Sequence, residues 1–71
     1  MANMATLRVI DEATSEQLGT IARADDGSMA TDGLGQPIFE QIKGGKGWDD
    51  NRTFEALLDG GWSNGYVSVR V

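Results

Sequence analysis

The chain contains no cysteine and no histidine, and it has only 71 residues. That combination constrains the fold more than any motif does. No disulfide and no zinc–thiolate centre can staple the chain. A chain this short buries only about 60% of its unfolded surface. A single small domain spanning 1–71 is expected, because domains rarely run below about 50 residues. With no staple and a thin core, self-association into a homo-oligomer is an expected source of further stability. The same absences narrow the chemistry. The commonest general base, the thiolate nucleophile and the usual transition-metal ligands are all missing. A hydroxyl nucleophile would have only Lys43 or Lys46 as its base. The chain therefore reads as non-enzymatic, with no cofactor.

Charge excludes another class. Asp and Glu number 11 against 6 Lys and Arg, a formal charge of −5. Direct nucleic-acid binding needs a positive footprint that this chain cannot supply. An acidic surface can instead imitate a nucleic acid. The carboxylates are scattered, however, as Asp11-Glu12, Asp25-Asp26 and Asp49-Asp50, which is the distribution of a solvated surface. No apolar run approaches the roughly 18 residues of a membrane helix. The first ten residues lack the basic start and apolar middle of a signal peptide. A cytoplasmic protein without membrane contact is the expectation.

Hydrophobic periodicity gives an α+β class. Leu7 and Val9 alternate with Thr6 and Arg8, the period of a half-buried strand. The polar stretch 11–16 then turns into a second strand over 18–23, making a hairpin. Gly19 inside that strand marks a bulge or the close approach of another backbone. Asp25-Asp26-Gly27-Ser28 is a turn, and Met29-Ala30-Thr31 has some strand character. Pro37 suits a first helical turn. Ile38, Phe39 and Ile42 share one helical face, and Gly44-Gly45 is expected to stop that helix. Asp49 or Asp50 caps a second helix, in which Phe54, Leu57 and Leu58 form the apolar stripe. Arg52, Glu55 and Asp59 form its wet side. Tyr66–Val71 alternates as a final strand, with Val67, Val69 and Val71 directed to the core. The expected fold is ββααβ: a three-stranded sheet of order 2-1-3, the last strand parallel to the first, with two short helices on one face. Its other face and both edges would be open.

Few residues have the spacing of a functional site. Gly44-Gly45-Lys46-Gly47 lacks the Ser or Thr and the preceding strand of a phosphate loop, and reads as a linker. Asp25-Asp26 and Asp49-Asp50-Asn51 lack the spaced ligands of a calcium loop, and read as a turn and a helix cap. Gly60-Gly61-Trp62-Ser63-Asn64-Gly65-Tyr66 is the most suggestive stretch. It joins stacking surface to turn-forming glycines. With Trp48, Lys46 and Arg52 it defines one candidate site: Lys46, Trp48, Arg52, Trp62, Asn64 and Tyr66. There an indole would stack on a nucleotide and a cation would meet its charge. The plainer reading makes Trp62 a core plug and Asn64 a turn residue.

Over Phe54-Glu-Ala-Leu-Leu-Asp-Gly-Gly-Trp-Ser-Asn-Gly-Tyr-Val67 the chain resembles small uncharacterised proteins of actinobacteria and their phages. The likeness carries no named function and no site residues. It implies a small inhibitor of a host protein, or a protein that sequesters a nucleotide signal. The leading expectation is a self-associating protein that acts by occupying a protein partner. The alternatives are a nucleotide binder and an acidic nucleic-acid mimic.

Overall fold

The computed structural model describes residues 5–71. The chain forms β1 (Thr6–Asp11), β2 (Gln17–Arg23), β3 (Met29–Gly33), α1 (Gly35–Lys46), α2 (Asp50–Gly60), β4 (Trp62–Ser63) and β5 (Val67–Arg70). The sheet has five strands in the order β3-β2-β1-β5-β4, every neighbouring pair antiparallel. The class is α+β, but the expected three-stranded ββααβ sheet with a parallel last strand is overturned. Two strands escaped the pattern. β3 carries no buried side chain, so its residues show no apolar alternation. β4 has two residues, too short for any period. β4 and β5 form a hairpin, and β5 therefore returns beside β1 in the antiparallel sense.

The β1–β2 turn is held by Asp11. Its Oδ1 accepts from the amides of Ala13 and Thr14 at 2.8 and 3.1 Å. Val9 lies opposite Gly19 and Ile10 opposite Gln17, so Leu18 is an extra residue on β2. This bulge bends β2 where α1 begins. A Cβ on Gly19 would lie 2.6 Å from the backbone nitrogens of both Leu34 and Gly35. Gly19 therefore lets the start of α1 sit directly on the sheet.

Both helices pack on one face. Leu7, Val9, Ile21 and Val69 from the sheet meet Phe39 and Ile42 of α1 and Phe54 and Leu57 of α2 in a single buried cluster. Removing these side chains from water is the main stabilising term, worth about 1.5–3 kcal/mol each. Val69 alone among the three C-terminal valines is buried; Val67 packs at the margin and Val71 is exposed. The expected inward triple is thus corrected, because β5 ends at Arg70 and Val71 has left the ladder. Arg23 joins sheet to helix. Its guanidinium lies 4.8 Å from the Phe54 ring centre, and its Nη1 is 2.7 Å from Glu55 and 2.6 Å from the Asn51 amide oxygen.

Gly44-Gly45 does not end α1, contrary to expectation. The helix runs on to Lys46, and Gly47 is the left-handed cap at φ 71°. Its N–H and that of Trp48 both donate to the Lys43 carbonyl, at 2.9 and 3.2 Å. Asp49 caps α2 by accepting the Arg52 amide at 2.8 Å. The Asp49 carbonyl also accepts the hydroxyl of fully buried Thr53 at 2.7 Å. Among the described residues no helix is long and apolar enough to cross a membrane.

Candidate functional site

Of the residues proposed from the sequence, three come together. Lys46, Trp48 and Arg52 meet where α1 turns into α2. The Lys46 ammonium lies 5.6 Å, and the Arg52 guanidinium carbon 5.3 Å, from the centre of the Trp48 ring system. Lys43 spans the same turn, its Nζ 2.6 Å from Asp50. That hydrogen bond raises the Lys43 pKa, because it favours the charged ammonium. Each cation over the indole contributes about 0.5–1 kcal/mol at an exposed position. The cluster thus already uses the indole surface and both charges internally. A stacked base would have to displace one of the cations.

Trp62 is separate. On β4 it is paired with Val69, so its ring lies on the helix face and packs against the core. With Gln41, Ile42, Gly45 and Lys46 it lines a groove of about 310 Å³. Lys46 is therefore the one residue shared between the two tryptophans' surroundings. Asn64 makes a turn: its Oδ1 accepts from the amides of Tyr66 and Val67 at 2.8 and 2.9 Å. Tyr66 is 81% exposed and does not line that groove. Of the glycine–aromatic stretch only Trp62 lines that groove.

Sequence reasoning missed the sheet edge at β3. Ala24 N–H donates to Ser28 at 2.9 Å, and Leu34 N–H donates to Leu18 at 3.1 Å. These are the hydrogen-bonded pairs that bracket the β2–β3 ladder. Pairs in an antiparallel ladder alternate between bonded and non-bonded. Ala30 and Asp32 therefore turn their backbone groups to β2. Met29 and Thr31 turn theirs outward, where no protein group among the described residues meets them, and Gly33, at φ 56°, ends the extended run. β3 also lacks proline and lysine, two of the features by which edges are commonly closed. Beside it lies a groove of about 440 Å³ lined by Met29, Thr31, Gln36, Phe39, Glu40 and Asp50, with Ser28 at one end. The only sequence signal was the weak strand character of Met29-Ala30-Thr31.

The opposite edge differs. Asn64 N–H bonds Val67 across the hairpin at 3.2 Å. By the same alternation only Ser63 turns its backbone outward there. The Ser63 hydroxyl is already bonded to Glu12. On the helix-free face Arg8 and Arg70 stand directly opposite one another, and the Arg8 guanidinium donates to the Val71 carbonyl at 3.0 Å. Comparison with protein-family models, characterised proteins and solved structures gives no match to this chain.

Proposed function

We propose that the chain is a non-enzymatic binding protein that acts by occupying a protein partner, and that it holds the partner along β3. The supporting observation is the row of outward backbone groups at Met29 and Thr31. Two unpaired donors and two unpaired acceptors form a template for another strand. The adjoining groove supplies side-chain contact on the helix side. The nucleotide reading has less behind it, because Lys46 and Arg52 already sit over the Trp48 indole.

The test uses the protein recovered from its own host. Native mass spectrometry should find it in a stoichiometric protein complex. Thr31→Pro should release the partner while preserving the melting transition, because it removes an outward N–H and leaves the β2 ladder intact. A folded Thr31→Pro variant that keeps its partner would overturn the assignment of β3.

A further inference from the structure

Resting on that reading of β3, we infer that the added strand is a basic, extended segment of another protein, with lysine or arginine at alternate positions. The surroundings of this edge are acidic. Glu40 and Asp50 line the groove on the helix side. Asp32 stands on β3 itself and points to the other face, opposite Thr20. Asp25 and Asp26 form the turn that leads into the strand. Among the described residues no lysine or arginine lines the groove. Lys43 pairs with Asp50 and so offsets it, and Arg23 pairs with Glu55. Asp25, Asp26, Asp32 and Glu40 have no ion-pair partner among the described residues.

The geometry then sets the pattern of the occupant. In a strand laid along β3, alternate side chains fall on opposite faces of the sheet. One set enters the groove over Met29 and Phe39 and reaches Glu40. Lysine and arginine fit that path, since their methylene stems cover apolar surface while the charged end stays wet. The other set passes Asp32. A residue of either set thus meets a carboxylate. The net charge of −5 favours the approach of such a segment from a distance. A second copy of the chain fits less well. Two β3 edges in register would bring together two sets of unneutralised carboxylates.

The experiment is a titration of the isotope-labelled chain, followed by amide NMR, with three heptapeptides: alternating lysine–valine, glutamine–valine and glutamate–valine. The lysine peptide should perturb the amides of Met29 and Thr31. It should bind about tenfold more tightly than the glutamine peptide, lose that advantage at high salt, and lose part of it in Glu40→Gln. Equal binding of the lysine and glutamine peptides at β3 overturns the inference while leaving the edge as a binding site. Lysine-peptide shifts confined to other regions overturn it too. So do β3 amides protected without peptide in a concentration-dependent dimer, which would identify the occupant as a second copy. No shift with any peptide removes both the inference and the reading it rests on.

Discussion

Two groups of glycines occupy this chain for opposite reasons. Gly19 and Gly35 lie where the bulged β2 meets the start of α1. A Cβ on Gly35 would run into the Thr20 carbonyl oxygen and lie 2.9 Å from its carbon. A Cβ on Gly19 would run into the Asp32 carbonyl as well as the two amide nitrogens already described. Gly44 and Gly45, in the last turns of α1, face open space: a Cβ at either meets nothing within 4 Å. In sequence the second pair looks the more purposeful, because two adjacent glycines after an apolar stripe resemble a helix stop. In the fold it is the isolated glycines that cannot be replaced. A glycine's role is decided by what lies across from it, and that neighbour comes from another element.

The sharpest way to break the contrast is Gly35→Ala. The methyl group meets backbone that cannot move without parting α1 from β2. The cost should exceed about 4 kcal/mol, comparable with the whole stability of a small domain. Near-UV circular dichroism should show no fixed tertiary packing. A variant that melts like the parent would show that the close approach is absent. Gly19→Ala should behave alike.

The core sealed by those glycines sets the next effect. Leu57 is 2% exposed. Leu57→Ala should cost about 2–5 kcal/mol in urea unfolding. Arg52→Ala, on the wet side of the same helix, should cost only about 0.5–1 kcal/mol from the lost contact with Trp48. Equal costs would contradict the direction in which α2 presents its faces.

Gly44→Ala should change the sign. With open space and a helical backbone, alanine should stabilise by roughly 0.5–1 kcal/mol, seen as a rise in Tm of a few degrees. A fall in Tm would show that the end of α1 is not helical in solution.

The smallest effect concerns the turn just after these glycines. Lys43 has a raised pKa from its bond to Asp50. A cation with a raised folded pKa contributes stability below its unfolded value of about 10.5, and that stability is lost as pH rises through the folded value. Tm should therefore gain an alkaline decline there that Lys43→Met lacks. Identical alkaline profiles in parent and variant would leave the 2.6 Å contact without energetic weight.

The clearest local signals did identify much of the fold. Leu7 and Val9 alternate on β1, and the stripe of Phe54 and Leu57 with Asp49 at its head marks α2. These elements bury one face each, so their periodicity is written along the chain. β3 and β4 are sheet edges held by backbone ladders, and backbone hydrogen bonds leave no mark on residue type. Lys46, Trp48 and Arg52 were legible as a group because one turn brings them together. Trp62 meets that group only through Lys46, with which it lines one groove, and Asn64 and Tyr66 are not among the lining residues.

By itself the sequence determined the elements whose side chains carry a period, a capping aspartate at position 49 or 50, the acidic balance, and the exclusion of thiol and imidazole chemistry. Tertiary structure alone decided the five-stranded antiparallel order, the need for Gly19 and Gly35, and the outward backbone of Met29 and Thr31 along one edge. The physical reason is the range of the interactions involved. Periodicity and capping are contacts within a few residues. Ladder pairing and backbone clashes join residues brought together only when the whole sheet has formed, as when the Thr20 carbonyl comes to lie against Gly35.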